Sequence, residues 1–204
     1  DLTATTVTFQ ASLEKAPADA VSGIILSPDT KTEKIRKGVR IQADGINDNY
    51  EVKTEGLLPN TTYHYTAYLD LGNGVIYGEE REFTTPESNF DPDNDLVDLG
   101  LSTKWAKYNV GATSETELGG LFGFGDMTGF KTSVLMEDYA SEDIYKTDRD
   151  VANKAYGSWL TMPTVEEFEE LFNECKKEWV EQAGVAGYKL TGPNGNSIFL
   201  PAAG

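Results

Sequence analysis

Apolar and polar side chains alternate through much of the first part of the chain. In TTVTFQASL (5–13), Val7, Phe9, Ala11 and Leu13 fall on one side and Thr6, Thr8, Gln10 and Ser12 on the other. This period of two is the signature of a strand with one face buried. The same reading predicts strands over SGIILS (22–27), GVRIQA (38–43), YEVKTE (50–55), TYHYTAYLDL (62–71) and VIYGEEREFTT (75–85). Turn formers such as Gly45, Pro59 and the GNG of 72–74 separate them. Short strands at this spacing predict a β-sandwich, and no comparably strong helical pattern occurs before residue 100.

The period changes at WLTMPTVEEFEELFNECKKEW (159–179). Phe168, Leu171, Phe172, Cys175 and Trp179 form one apolar stripe at helical spacing, while Glu166, Glu169, Glu170 and Glu174 lie mostly away from it. Thr164 is placed to cap the helix, with Glu167 three residues on to reach back to it, and Lys176 and Lys177 suit the opposite end. The crowded glutamates therefore read as the wet face of an anchoring helix. A catalytic pair would need a second carboxylate held across a cleft, and nothing in the pattern demands one. Beyond the helix, YKLT and SIFL are predicted as strands joined by the turn PNGN.

Between these regions, ESNFDPDNDL (87–96) is rich in Pro, Asn and Asp and reads as a linker. Residues 97–125 are predicted to form short strands and tight loops, and 131–158 a polar surface excursion. GFGDMTG (123–129) reads as a glycine-tolerant turn, since no helix start follows it as a nucleotide-binding loop requires. The expected organisation is 1–86, a linker at 87–96, and 97–204.

Charge narrows the function. The 204 residues carry 34 acidic and 17 basic groups, a formal net charge of −17. Residues 1–86 hold 13 acidic and 8 basic groups, and 87–204 hold 21 and 9. Such a field repels phosphate backbones and anionic headgroups, so no nucleic-acid partner and no membrane-surface binding are expected. No apolar run is long enough to span a bilayer. Asp1, in place of a starting methionine, fits a leader removed upstream or a trimmed chain.

Candidate chemistry is sparse. Cys175 is the sole cysteine and His64 the sole histidine. They lie far apart in sequence, Cys175 on an apolar stripe and His64 in a strand pattern, HYTAY, where exposure is its expected state. A nucleophilic triad and a zinc site of the usual three or four ligands are both unsupported. Asp91, Asp93 and Asp95 have the one-three-five spacing of calcium-loop oxygens. Leu96 and Ser102, however, stand where that loop needs glycine and a bidentate glutamate, so plain linker charge is the alternative. If carbohydrate binds, aromatic side chains on loops are the expected contacts. Tyr139 and Tyr145, with Tyr156 beside them, fall in the excursion. Trp159 is the candidate among the tryptophans, although burial is the ordinary expectation for all three.

GLLPNTTYHYTAYLDLGNGVIYGEEREFTTP (56–86) resembles the C-terminal half of a fibronectin type III domain through Leu58, Pro59, Thr61 and Tyr63, followed by inward Tyr65, Ala67 and Leu69. The resemblance covers about 1–86 and implies that the Tyr63 hydroxyl bonds back to the upstream backbone. No tryptophan occurs in this half, and Phe9 is expected to fill the space of an early-strand Trp. VDLGLSTKWAKYNVGA, WLTMPTVEEFEELFNEC and GYKLTGPNGNSIFLPAAG together resemble a domain of secreted and outer-surface proteins of gut Bacteroidetes and Fibrobacter. That domain is itself similar to the C-type-lectin-like fold of formylglycine-generating and sulfatase-modifying proteins, whose helix start is echoed by Pro163, Thr164 and Glu166. The expected fold class is thus mainly β plus α+β, an N-terminal β-sandwich followed by a C-type-lectin-like module that resembling proteins continue past Gly204. The implied function is a non-catalytic binding or adhesion protein with a glycan or surface-protein partner, either secreted or displayed as a lipoprotein on the cell surface through a lipid anchor upstream. The alternatives are a structural subunit of a surface assembly and a fragment of a formylglycine-generating type of enzyme, whose paired reactive cysteines have no counterpart here.

Overall fold

The alternation in residues 5–13 is realised as strand β1 (Val7–Ser12) in a computed structural model that describes residues 1–27, 32–45, 49–125 and 143–203. The fold is mainly β, with few helices. It divides into two units, Asp1–Glu87 and Ser88–Gly204.

In the first unit β1 pairs antiparallel with β4 (Asn49–Thr54), setting Phe9 opposite Val52. A second sheet runs β3 (Val39–Gln42), β2 (Val21–Ser27), β5 (Thr62–Asp70), with a one-turn helix α1 (Thr32–Ile35) between β2 and β3 in sequence. The stretch expected as one strand over 75–85 is broken in two along the far edge of β5. β6 (Val75–Tyr77) pairs with residues 68–70 and β7 (Arg81–Thr84) with residues 62–65. The break is held at Gly78, whose N–H donates to Ala67 O at 2.9 Å and whose carbonyl accepts from Thr66 Oγ1 at 3.0 Å.

Side chains from the two sheets meet in an aromatic cluster. The Phe9 ring lies 4.7 Å from Tyr65 and 5.8 Å from Phe83, and Tyr63 stacks on Phe83 at 5.6 Å. Ile24, Ile25, Leu26, Val52 and Leu58 are buried in this unit. The buried Tyr63 hydroxyl accepts from Leu58 N at 2.9 Å, and Thr85 Oγ1 donates to Leu58 O at 2.6 Å, so both backbone groups of Leu58 are satisfied by side chains. His64 lies on β5 with its side chain largely covered rather than exposed, its Nδ1 3.6 Å from Glu82 across the strand pair.

The second unit opens with a one-turn helix α2 (Pro92–Asp95) and the short pair β8 (Leu96–Val97) and β9 (Trp105–Ala106). Helix α3 (Val151–Tyr156) follows, then α4 (Val165–Glu174). The start of α4 has both bonds of a capping box. Glu167 N donates to Thr164 Oγ1 at 3.2 Å, and Thr164 N donates to Glu167 Oε2 at 2.9 Å.

The helix ends earlier than the stripe implies. Cys175 is its C-cap, and the chain turns into a meander of β10 (Lys176–Gln182), β11 (Val185–Thr191) and β12 (Ser197–Pro201). Trp179 therefore stands on a strand, opposite Tyr188. Seven register pairs, Lys176↔Thr191 through Gln182↔Val185, override a local pattern compatible with one further helical turn. Ala183 and Gly184 close this hairpin with φ of 50° and 84°, the left-handed turn that matches strand twist. The strands expected over YKLT and SIFL are present within β11 and β12.

Leu99, Leu171, Cys175, Leu190 and Ile198 form the buried core of this unit, with Trp105, Phe172 and Leu200 packed against it. Phe168, expected beside Leu171 in the core, is 47% exposed where Leu171 is 0%. Its ring lies tilted against Phe172 at 4.8 Å instead. No helix among the described residues is long and apolar enough to cross a membrane.

Candidate functional site

A buried aspartate organises the site. Asp150 is 0% exposed, and its carboxylate accepts from Asn153 N at 3.0 Å, Lys146 N at 3.2 Å, and Met162 N through both oxygens at 3.0 and 3.1 Å. It caps α3 and also clamps the segment that leads into α4. Between these fixed points the chain makes a tight turn over Gly157–Trp159, entered at Gly157 with φ 66° and tied by Asn153 Nδ2 to Gly157 O at 3.1 Å. Trp159 is carried out at the tip of that turn, 63% exposed. The expectation of burial fails here.

Trp159 borders a cleft of about 420 Å³ whose apolar walls include Trp105, Tyr108, Met162 and Phe168. Its polar lining includes Lys104, Lys107 and Glu167. The Glu167 carboxylate is committed to the capping box. The Tyr108 phenol is pushed up to about 12 by burial first, then by the Asp95 charge and its hydrogen bond to Asp95. Trp105 Nε1 is a buried donor with no acceptor.

Of the residues singled out from the sequence, Trp159 lines this cleft. Tyr139 lies outside the described residues. Tyr145 is half-buried, its ring 4.7 Å from the Lys146 ammonium, and is not part of the cleft wall. Tyr156 is buried, with its hydroxyl accepting from Gly111 N at 3.1 Å, and burial raises its pKa. The surface excursion expected over 131–158 is corrected for its described part: Ile144, Asp150, Val151, Ala152 and Tyr156 are all buried. GFGDMTG lies mostly outside the described residues.

Asp91, Asp93 and Asp95 surround the first turn of α2. Asp91 caps it, Oδ1 accepting from Asp93 N at 3.1 Å and Oδ2 from Asn94 Nδ2 at 2.6 Å. Asp95 Oδ2 accepts from Asp91 N at 2.9 Å. Two of the three carboxylates are thus turned onto their own backbone. Among the described residues no group of three or more His, Cys, Asp or Glu side chains is placed to hold a metal.

Sequence reasoning missed Asp150, Phe168 and the paired lysines of the cleft. A helix-capping aspartate ahead of VANKAY was a legible signal, whereas the convergence of residues 103–110, 159–163 and 198–201 is produced only by packing. A larger hollow, about 970 Å³, runs along β1 and β5 in the first unit. It contains no exposed aromatic ring, and its Arg81 is held by Glu79 at 2.8 Å. The cleft beside Trp159 is the better candidate. Cys175, 4% exposed with its thiol pKa raised by burial and then by Glu170 and Glu174, is no accessible nucleophile.

No family model, no curated protein and no solved structure matches the chain.

Proposed function

We propose that this chain is a non-catalytic binding protein, secreted or displayed on the cell surface, in which a fibronectin type III-like β-sandwich carries a C-type-lectin-like module that binds carbohydrate in the cleft beside Trp159. The observation that carries the reading is Trp159 itself, 63% exposed at the edge of an aromatic cleft of about 420 Å³. Sugar rings offer an apolar face for stacking, and an exposed indole beside a concave apolar wall suits that face. The bond from Leu58 N to the Tyr63 hydroxyl, together with the strand order β3-β2-β5 and the separate β1-β4 pair, supports the fibronectin-like assignment. Burial of the lone thiol supports a non-catalytic role over the formylglycine-generating type of chemistry.

The test is a glycan array, with calcium and with chelator, followed by Trp159→Ala. Binding that survives the chelator and is lost in the variant is expected. Binding lost with chelator alone would restore a calcium role for Asp91, Asp93 and Asp95. Binding untouched by Trp159→Ala would remove this cleft.

One observation favours the second reading, a structural subunit of a surface assembly. Trp179 and Tyr188, 59% and 42% exposed, meet edge-on at 4.9 Å on the meander, outside the cleft. Exposed aromatics of this kind mark contact surfaces. Absence of binding to any glycan, with concentration-dependent association abolished by Trp179→Ala, would favour that role.

A further inference from the structure

The charge of the cleft opposes that of the chain around it. Residues 87–204 hold 21 acidic groups against 9 basic ones, so a cleft lining with two lysines and one carboxylate runs against the balance of this region. Lys104 and Lys107 line the cleft, and among the described residues neither ammonium group has an ion-pair or hydrogen-bond partner. Lys107 is half-buried and Lys104 exposed. The one cleft carboxylate, Glu167, faces its own cap, and Asn109 Nδ2 is taken by Leu118 O at 3.2 Å. Trp105 adds a buried N–H without an acceptor. The wall therefore offers donors and positive charge and no free carboxylate.

We infer that the cleft selects acidic carbohydrate, an oligosaccharide bearing carboxylate or sulfate groups, with Lys104 and Lys107 pairing the anion while Trp159 stacks on a sugar ring. The inference rests on the carbohydrate reading of the same cleft. It names the class of sugar and assigns two residues to specificity. Long-range repulsion from the acidic surface slows the approach of such a ligand, so selectivity arises at short range, within the screening length of about 8 Å at physiological salt.

The experiment uses the full chain on an array of matched pairs, each acidic oligosaccharide printed beside its carboxyl-reduced or desulfated counterpart, with calorimetric titration of the tightest pair. The acidic member is expected to bind about tenfold more tightly, the product of two partly exposed ion pairs. The double variant Lys104→Gln, Lys107→Gln should erase that preference and leave the neutral member within about twofold, since both lysines lie outside the buried core. Raising salt to about 1 M, where screening reaches about 3 Å, should have the same effect. Trp159→Ala should weaken both members alike. Uronate pairs and sulfate pairs report separately which anion is preferred. Equal binding of acidic and neutral members, or a preference retained by the double variant, would overturn the inference and leave the carbohydrate reading standing. Failure of every acidic and neutral glycan to bind would remove that reading, and this inference with it.

Discussion

The two units bury their aromatic rings to different extents. In the first, Phe9, Tyr63, Tyr65 and Phe83 are packed on one another. In the second, Phe124, Trp159, Phe168, Trp179 and Tyr188 are exposed, and every exposed aromatic ring among the described residues lies there. Burying apolar area is the main favourable term in folding, so a region that leaves so many rings wet forgoes stability that the other region gains. The contrast accords with the proposed reading, in which the first unit is the spacer and the second makes the contacts. Large effects on stability are expected from core aromatics of the first unit, and small ones from the exposed rings of the second.

The largest effect is expected at Phe9. Phe9→Ala opens a cavity against the Tyr65 and Phe83 rings and should cost about 3–5 kcal/mol in chemical denaturation, unfolding the first unit before the second. A loss under about 1 kcal/mol would show that the cluster repacks freely. Next comes a pair within one helix. Leu171→Ala should destabilise the second unit by about 2–4 kcal/mol, whereas Phe168→Ala and Trp159→Ala should each stay below about 1. Equal losses at Leu171 and Phe168 would erase the distinction between core ring and contact ring. Tyr63→Phe leaves the Leu58 N–H buried without its acceptor and should cost about 1–3 kcal/mol, read from the thermal transition of the first unit.

The smallest effect is one of pH. Tyr108 has a folded pKa of about 12 against an ordinary value of 10. Folding favours its protonated form, so its contribution is complete below pH 10 and is lost as pH rises from 10 to 12. Ultraviolet titration should find this phenol ionising late, and Tyr108→Phe should lessen the alkaline decline of the second unit. An unchanged decline would place the cause in other tyrosines.

The sequence was informative where structure is local. The alternation around Phe9 and the Thr164–Glu167 cap are decided by residues within a few positions of one another, and the structure contains both. The end of α4 was misread because Cys175 and Trp179 satisfy helical spacing, while the competing hairpin with β11 depends on pairing from outside that window. Phe168 was misplaced for a related reason: periodicity gives the apolar side of a helix but not how far neighbouring chain extends over it. Lys104 and Lys107 were visible only as two charges. Their importance comes from a wall built by segments some ninety residues apart in sequence, residues 103–110 and 198–201.

Cys175 closes α4 against Leu190 and Ile198, and it is the only thiol in the chain. In kinetic terms it is a clock. A thiol reagent in solution must wait until the helix end parts from the meander, so under rapid reclosing the rate of labelling reports the fraction of time the second unit stands open. Motion confined to the first unit leaves that clock untouched. An occupied cleft, borne by the Trp159 turn and α4, would slow it in proportion to the ligand held.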